Sequence, residues 1–402
     1  MPSLSAEEAA TRLGIKKETL YAYVSRGMLE SRRDRGGRSR FDAAEVERLA
    51  VRSRKRSGGV DVAITSGITL LRDNRCYFRG VDAVALAGAN PFEAVVEWLW
   101  TGSSLSVRRL VAPEGVVRTA AACVDALPDT AGVVDRLRVS VAAASASDPL
   151  RHDLRADSVR LAGRRVIGTM IDALGGENRL ASATTSPESS GQSAARRLWD
   201  RLTGRPPVAA DTAFLDTALG LMCDHDLATS TLAARVAASG RADPYSVVGA
   251  GLGALGGVLH GGAGTGVYDL LEEIGAADRA AAVIGNWLAE GRRIPGFGHS
   301  VYTTDDPRAV ALLDLAPATA VAPERWQVVE SVVAVSRSRS AVPVNVDLAL
   351  AGFCWAAGLP RDASEAVFAV ARTAGWIAHA IEEYEERPLR FRPRALYSGV
   401  EP

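Results

Sequence analysis

The sequence has little cysteine, few aromatic residues and no long hydrophobic run, and each shortage excludes a class of protein. Its four cysteines are far apart and form no CxxC pair, which argues against a disulfide framework or a zinc site and predicts reduced, mostly buried thiols. No apolar run reaches about 18 residues, the length that a membrane-spanning helix needs. The N-terminal MPSLSAEEAATRLG contains no apolar signal core, so a cytoplasmic protein without a membrane span is expected.

The composition favours a helical protein with a sizeable core. The chain has 402 residues, of which 47% are hydrophobic and only 6% aromatic, and its abundant alanine favours helices packed through small residues. This length predicts two or three domains. The net charge of zero conceals an asymmetry, because residues 1–59 hold 14 basic and 8 acidic side chains and the remainder holds 33 and 39. A small basic module is therefore attached to a larger acidic body.

The basic module has the pattern of a helix-turn-helix. LSAEEAATRLGIKKETLYAYVSRGMLES reads as two short helices around a glycine turn, and Ser5 and Glu8 have the spacing of a capping box. This pattern resembles the MerR/excisionase-type DNA-binding domain, whose basic wing and third helix fit RRDRGGRSRFDAAEVERLA. The resemblance assigns residues 1–52 to a winged helix-turn-helix domain and residues 53–59 to a linker. The candidate DNA contacts are Lys16, Lys17, Thr19 and Tyr21 in the major groove, with Arg38 and Arg40 among the arginines that meet phosphates. An appendage that contacts protein is the alternative.

The body of the chain predicts a mostly α-helical domain. ITLLRDNRCYFRGVDAVALA allows a short strand pair before a helix, and the polar segment 183–193 predicts a loop before a helix that begins near Arg196. Further helices are predicted over residues 210–240, 243–258, 265–274, 278–291, 307–314, 323–338, 347–357 and 362–384.

Two of the five histidines lie between glycines. His260 is in GGVLHGGAGTG and His299 in GFGHSVY, where glycine lets backbone and ligand approach closely. His152 lies in a charged turn and reads as solvated, and His379 reads as a packed or surface helix residue. A structural role remains open for His260 or His299 alone, but as a pair they indicate a catalytic site. The GAGTG stretch alone is a weak dinucleotide signal, because no strand precedes it and no distal acid follows.

A carboxylate and several arginines complete this pattern. Asp347 begins an apolar helix in PVNVDLALAGF, where an N-cap is the alternative role. Arginines in or beside apolar sequence need anionic partners, and these are Arg308, Arg372, Arg392 and Arg394. Together with the two histidines they indicate a site for a substrate with several negative charges.

Taken together, these motifs resemble the citrate synthase family in order and spacing over residues 60–402. The segments that carry the resemblance are RGVDAVALAGANPFEAVVEWLWTG, GGVLHGGAGTGVYDLLEEIG, RIPGFGHSVYTTDDPRA, VNVDLALAGFCWAAGLP and VFAVARTAGWIAHAIEEYEERPLRFRPRALYSG. The resemblance implies an all-α homodimer with a large domain, residues 60–261 and 359–402, and a small domain, residues 262–358. It also implies condensation of acetyl-CoA with oxaloacetate and water to give citrate and CoA, in the acyltransferase class and without a metal or other cofactor.

The resemblance assigns a role to each site residue. Asp347 would act as base, His260 would donate a hydrogen bond to the enolate oxygen, and His299 would polarise the ketone of oxaloacetate. Arg308, Arg372 and, from the neighbouring subunit, Arg392 would hold the substrate carboxylates. The coenzyme would be received by Ile294, Pro295, Gly296, Phe297, Gly298 and Asn345.

Two positions depart from the family pattern. Met222 stands where the family typically has a further substrate-binding histidine, with His225 matching the next histidine, and Thr303 replaces a basic residue that approaches the CoA phosphates. A thioether cannot donate a hydrogen bond to a carboxylate, so altered recognition is expected. A 2-methylcitrate synthase that uses propionyl-CoA is a close alternative. A DNA-binding regulator whose body senses acyl-CoA or oxaloacetate is a second alternative, supported by the basic module and Met222 and opposed by the retained His260, His299 and Asp347.

Overall fold

The computed structural model describes residues 3–13, 17–25, 29, 31–33, 39–42, 46, 64–176, 191–257, 260–339 and 342–391. The chain divides into two compact units, Met1–Thr65 and Ser66–Pro402. Among the described residues, no helix combines the length and the apolar character that crossing a membrane requires.

The smaller unit combines two helices with a three-stranded antiparallel sheet. The strands are Ser3–Ser5, Ser31–Arg33 and Ser39–Asp42, with the last in the middle, and the helices are Ala6–Leu13 and Lys17–Ser25. The predicted capping box is confirmed: the Ser5 N–H donates to the Glu8 carboxylate at 2.8 Å, and the Glu8 N–H donates to the Ser5 hydroxyl at 3.3 Å. Leu20, Leu29 and Phe41 are buried in a small core of its own. The predicted third helix falls mostly outside the described residues.

The larger unit opens with a short sheet, as the sequence predicted for this segment. Thr69–Arg72 pairs antiparallel with Arg75–Phe78, which pairs in turn with Val81–Asp82. Asp73 and Asn74 connect the first two strands with φ of 51° and 57°. Positive φ at both central residues is what a two-residue type I′ hairpin turn requires, and Asp and Asn tolerate it better than most residues.

Apart from connecting loops and one isolated bridge between Phe297 and Val344, the rest of the larger unit is helical over its described residues, which confirms the predicted fold class. The α-helices are Ala83–Ala89, Phe92–Thr101, Glu114–Asp125, Val133–Ala146, Ala156–Ala173, Ala194–Thr203, Ala209–Met222, Thr229–Ser239, Pro244–Leu255, Ala263–Ile274, Ala280–Ala289, Pro307–Leu315, Pro323–Arg339, Val346–Ala356 and Ala363–Glu385, with 3₁₀ turns at Ala277–Arg279 and Ala316–Ala318. One predicted helix, residues 210–240, is wrong, because a loop interrupts it between Met222 and Thr229.

The helix Ala363–Glu385 runs through the core of the larger unit and is buried along most of its length. Small residues allow neighbours to pack closely against it: a Cβ at Gly251 would lie 2.5 Å from the Trp376 ring. The Gly375 N–H donates to the Cys223 carbonyl at 3.0 Å, which fixes the loop after Met222 against this helix. The alanine- and glycine-rich composition therefore serves close helix packing, and this packing positions one wall of the candidate site.

Candidate active site

His260 lies in a tight turn between the helices Pro244–Leu255 and Ala263–Ile274. The Gly261 N–H donates to the Leu255 carbonyl at 2.8 Å, and a Cβ at Gly261 would lie 2.5 Å from that oxygen. Glycine is required here because the chain passes this close to the end of the preceding helix. The GAGTG stretch continues as the helix that follows, and the element before it is a helix, so the turn lacks the strand that a dinucleotide-binding loop follows.

His260 is held as a neutral imidazole. Its Nε2 lies 2.8 Å from the Ser230 hydroxyl, and Nδ1 has no hydrogen-bond partner among the described residues. Burial lowers the pKa of His260 to about 4, and the positive charge of Arg372 adds to this effect. The ring also makes an edge contact with Phe368, at 6.0 Å between ring centroids. Near neutral pH, His260 therefore offers one neutral nitrogen to the space in front of it.

The hydrogen bonds of His299 fix its tautomer. Its Nδ1 accepts from the backbone N–H groups of Val301 at 2.9 Å and Tyr302 at 3.3 Å. Because Nδ1 accepts, the proton of the neutral ring lies on Nε2. Burial lowers the pKa of His299, and Arg308 adds to this effect. His299 is therefore a neutral N–H donor whose orientation depends on the backbone of residues 301–302.

The segment before His299 is fastened to residues 343–345. The Gly298 N–H donates to the Pro343 carbonyl at 2.7 Å, and the Asn345 N–H donates to the Gly296 carbonyl at 3.0 Å. The Asn345 side chain also donates to the Gly298 carbonyl at 3.0 Å. Gly296 and Gly298 have φ of 84° and 86°, and a Cβ at Gly296 would lie 2.7 Å from the Leu348 Cβ. Both glycines therefore allow the backbone conformation that holds the segment before His299 against residues 343–345.

Asp347 lies in the first turn of the helix Val346–Ala356. The N-cap of this helix is Asn345, whose Oδ1 accepts from the Asp347 N–H at 3.1 Å, so the alternative that Asp347 is the cap is wrong. The Asp347 carboxylate has no hydrogen-bond partner among the described residues. Burial raises its pKa to about 6, against the opposing attraction of Arg308. This carboxylate is thus available as a base whose pKa lies close to neutral pH.

The two described arginines of the site differ in their partners. Arg308 forms two hydrogen bonds with Asp306, Nε to Oδ1 at 3.0 Å and Nη2 to Oδ2 at 2.8 Å. Burial opposes the charge of Arg308, but this ion pair raises its pKa. Arg372 donates through Nε to the Met222 carbonyl at 3.0 Å and lies 4.5 Å from the Phe368 ring centre.

Arg372 is the arginine that lacks a hydrogen-bonded carboxylate. It is 2% exposed, and burial lowers its pKa to about 10 against the attraction of Asp224. No carboxylate of a described residue accepts a hydrogen bond from its guanidinium. A buried guanidinium in this state favours binding of an anion from solution.

His225 also lies at the site, although the sequence motifs gave this residue no role. It lies in the loop that interrupts the predicted helix, and its Nε2 is 2.9 Å from the Tyr302 hydroxyl. Its ring centroid is 5.1 Å from that of His299. Burial lowers the pKa of His225, and the charges of Arg308 and Arg372 add to this effect. The scarcity of histidine was the sequence signal that could have identified it.

These side chains line one cavity of about 380 Å³. Six of the residues predicted from the sequence are among its lining, namely His260, His299, Arg308, Asn345, Asp347 and Arg372. The sequence did not assign the further lining residues to the site, and these include His225, Asp226, Leu71, Val301 and Phe368. Ile294, Pro295, Gly296, Phe297 and Gly298 form the segment beside the cavity, outside its lining. Arg392 lies outside the described residues. Within the described ranges, no group of three His, Cys, Asp or Glu side chains is arranged to hold a metal ion.

The predicted DNA contacts lie on the smaller unit. Thr19 and Tyr21 are exposed on the helix Lys17–Ser25. Lys17 is also exposed and forms an ion pair with Glu7 at 3.2 Å. Arg40 is half-buried in the central strand. Lys16 and Arg38 lie outside the described residues. Of the predicted contacts, Lys17, Thr19 and Tyr21 are thus exposed side chains of this helix.

The fold and the cavity define a helical protein whose cleft is equipped for proton transfer on an anionic substrate. A sequence model of the citrate synthase C-terminal domain matches residues 58–394, and a helix-turn-helix domain model matches residues 3–52. The chain belongs to the citrate synthase family.

Curated relatives match with moderate identity. Citrate synthase 2 of Bacillus subtilis is 37% identical over 201 residues, which is 49% of this chain and 54% of that protein. Citrate synthase of Synechocystis is 36% identical over 208 residues, 49% of this chain and 51% of that protein. The chain thus spans about half the length of these two relatives. 2-Methylcitrate synthase 1 of Corynebacterium glutamicum is 29% identical over 346 residues, 82% of this chain and 90% of that protein.

Solved structures match over most of the chain. Citrate synthase from Thermotoga maritima has a TM-score of 0.67 at 28% identity, covering 85% of this chain and 94% of that one. The ternary complex of citrate synthase from Thermoplasma acidophilum with carboxymethyl coenzyme A and oxaloacetate has a TM-score of 0.71 at 25% identity, covering 86% and 96%. The second structure pairs a coenzyme A derivative with a dicarboxylate in a protein of this fold.

Proposed function

We propose that the protein condenses acetyl-CoA with oxaloacetate and water to give citrate and CoA. The observation that carries this proposal is the single cavity in which His260, His299 and Asp347 meet the buried guanidinium of Arg372. The reaction needs a base, two hydrogen-bond donors and an anion site, and this cavity supplies each of them. The ternary complex of the structural neighbour, with its coenzyme A derivative and oxaloacetate, supports the substrate class.

In the first step Asp347 removes a proton from the acetyl methyl group. The C–H bond breaks, the proton passes to the carboxylate, and the electron pair moves toward the thioester oxygen. His260 donates to that oxygen from Nδ1, provided that Ser230 donates to Nε2. Near neutral pH, the pKa of about 6 leaves Asp347 mostly ionised as a base, and the pKa of about 4 leaves His260 a neutral imidazole that can still donate one N–H.

In the second step the enolate carbon attacks the ketone carbon of oxaloacetate, and the C=O bond of the thioester re-forms. The carbonyl π-bond breaks as the new C–C bond forms, and the negative charge develops on the former ketone oxygen. His299 donates its Nε2–H to this oxygen. Water then hydrolyses the thioester and releases CoA and citrate. No step needs an external oxidant or reductant, and His260 and His299 supply the donors to the two oxygens, so we propose that neither a metal nor a redox cofactor takes part.

The carboxylates of oxaloacetate bind to Arg372 and Arg308. Arg372 offers nitrogens that no described residue occupies, whereas Arg308 is pre-oriented by its ion pair with Asp306. His225 adds a polar group at the same wall of the cavity. We also propose a homodimer, in which Arg392 of the partner subunit completes the site, and a small domain over residues 262–358 that faces the large domain across it. The coenzyme extends along Ile294–Gly298 and Asn345.

The alternative acyl substrate is propionyl-CoA, which would make the protein a 2-methylcitrate synthase. A relative with this name covers more of the chain than the citrate synthase relatives described above. One additional methylene changes binding by only about 1–3 kcal/mol, so both acyl groups must be compared directly.

The test is release of free CoA thiol from acetyl-CoA and from propionyl-CoA, each with and without oxaloacetate. We expect oxaloacetate-dependent release, and the ratio of kcat/KM identifies the preferred acyl group. Asp347→Asn is the matched inactive variant, because it keeps the shape of the side chain and removes the base. No release by folded wild-type protein with either substrate would refute the enzyme and favour a regulator that senses these molecules.

For the smaller unit we propose DNA binding through the helix Lys17–Ser25. Tyr21 and Thr19 would face the major groove, and basic residues would neutralise phosphates. Binding should weaken as salt rises and should be lost when residues 1–59 are deleted. Tyr21→Ala tests the recognition helix in the full chain, and Tyr77→Ala, on the other unit, is its control. Equal, negligible DNA binding by the full chain and the deletion variant would contradict the proposal.

A further inference from the structure

A hydrogen-bonded clamp joins the hairpin at the start of the larger unit to the loop that carries His299. The Thr303 N–H donates to Asn74 Oδ1 at 2.8 Å, and Asn74 Nδ2 donates to the Thr303 hydroxyl at 3.0 Å. These residues are 229 positions apart in the chain. One amide side chain therefore satisfies a backbone donor and a hydroxyl of the same residue, which fixes both the position and the direction of the chain at Thr303.

The clamp lies at the end of the loop that orients His299. Nδ1 of His299 accepts from the N–H groups of Val301 and Tyr302, so the imidazole follows the backbone just before Thr303. Asn345 fastens the other side of the loop through the Gly298 carbonyl. His299 thus lies between two anchored points, one on each side.

The hairpin is itself fastened to the loop that carries His225. Thr69, in its first strand, donates to the Asp224 carboxylate at 2.5 Å, and Asp224 directly precedes His225. Leu71 of the same strand lines the cavity. The hairpin therefore connects two histidine-bearing loops and provides a rigid reference for both, because antiparallel pairing with Arg75–Phe78 holds its strands.

We propose that Asn74 is a positioning residue for His299 in the condensation reaction. It does not line the cavity, and it acts by holding the backbone whose N–H groups bind Nδ1, so that Nε2–H points at the ketone oxygen. This inference rests on the proposed function for its catalytic consequence, whereas the clamp itself can be measured without any turnover.

The variant that isolates the clamp is Asn74→Gly. Asn74 has a positive φ, which glycine adopts freely, so the turn is kept and only the carboxamide is removed. Asn74→Asp retains an oxygen acceptor for the Thr303 N–H and is the conservative rescue. Asp73→Gly is the matched control, because Asp73 is exposed in the same turn and has no hydrogen bond or ion pair with other described residues.

The kinetic measurement is the separation of kcat from KM in the thiol-release assay. We expect Asn74→Gly to lower kcat about tenfold while the KM for both substrates changes less than about twofold, because bound substrate still meets the arginines but His299 is aligned for less of the time. Asn74→Asp should recover most of the kcat, and Asp73→Gly should match the wild type. An unchanged kcat in Asn74→Gly, or a loss of the same size in Asp73→Gly, would overturn the proposal.

The structural measurement needs no activity. Hydrogen exchange at the Thr303 amide should accelerate in Asn74→Gly and remain as in the wild type in Asp73→Gly. The ¹⁵N shifts of the His299 imidazole should move from a fixed Nε2–H tautomer toward a mixture of both. If the wild type releases no thiol, these two measurements still decide the clamp, and unchanged exchange or an unchanged tautomer would overturn it. A failure of the proposed function is thereby distinguished from a failure of this inference.

Discussion

Replacing Asp347 with asparagine should stabilise the protein while abolishing its activity. Burial raises the pKa of Asp347 from 3.8 to about 6, so the ionised form is disfavoured in the folded state. Between these two pKa values the folded protein binds more protons than the unfolded chain. The contribution of Asp347 to the unfolding free energy is therefore fully present below pH 3.8 and is lost as the pH rises through about 6. A shift of about 2 units corresponds to about 3 kcal/mol.

The asparagine variant has no carboxylate to ionise at this position. Its unfolding free energy should therefore exceed that of the wild type by an amount that grows with pH. From the linkage relation, about 2 of the 3 kcal/mol should develop between about pH 4.5 and pH 8. The measurement is urea unfolding of both proteins at several pH values and one fixed protein concentration, since a dimer would make stability concentration-dependent. Asp73→Asn, which removes an exposed carboxylate elsewhere in the same unit, is the control for the loss of a negative charge. A difference in unfolding free energy that stays constant across this pH range would refute the reasoning.

Further predictions concern neighbouring groups of the site. The kcat should fall on the acid side with an apparent pKa near 6, because Asp347 must be ionised; a pH-independent kcat between about pH 5 and 7 would contradict this. Ser230→Ala should lower kcat about tenfold with little change in melting temperature, because His260 loses the partner of its Nε2. Arg372→Lys should raise the KM for oxaloacetate about tenfold or more at unchanged KM for acyl-CoA, whereas an equal rise in both would indicate general damage. Gly296→Ala should cost roughly 1–3 kcal/mol in urea unfolding, because its Cβ would lie 2.7 Å from a leucine side chain.

Much of the helical architecture was predictable from local sequence. The predicted ranges 243–258, 307–314 and 323–338 agree to within a few residues with Pro244–Leu255, Pro307–Leu315 and Pro323–Arg339. Each of these helices has a proline at its start, where the missing N–H costs nothing. Local start signals and apolar spacing therefore suffice to predict a helix whose first residue has a strong preference for that position.

The error over residues 210–240 has a tertiary cause. The residues between Met222 and Thr229 contain no proline or glycine, so nothing local ends the helix there. The loop is instead held by distant partners: Gly375 donates to the Cys223 carbonyl, and Asp224 accepts from Thr69. Such contacts join residues about 150 positions apart, and no sequence pattern within the segment reports them.

The site itself was partly predictable, because glycine-flanked histidines are conspicuous in a chain with five. The hydrogen bonds that hold these histidines in place could not be predicted from the sequence. Ser230, Asn74 and Tyr302 are small or common polar residues whose roles depend on which loop they meet in space. The same holds for Asp306, which neutralises Arg308 from two positions away, whereas Arg372 has no hydrogen-bonded carboxylate among the described residues.

The departure at Met222 concerns a side chain that packs in the core, whereas its carbonyl contacts Arg372. Its side chain is fully buried in the hydrophobic core, outside the cavity lining, and only its carbonyl serves the site, by accepting from Arg372. A backbone carbonyl is available whatever the side chain, so methionine can occupy this position without removing a hydrogen bond from Arg372. The polar group that faces the cavity from this loop is His225, three residues later. Substrate recognition at this wall should therefore depend on His225 and Arg372, and Met222→Leu should leave the KM for oxaloacetate within about twofold of the wild type, since it conserves core volume.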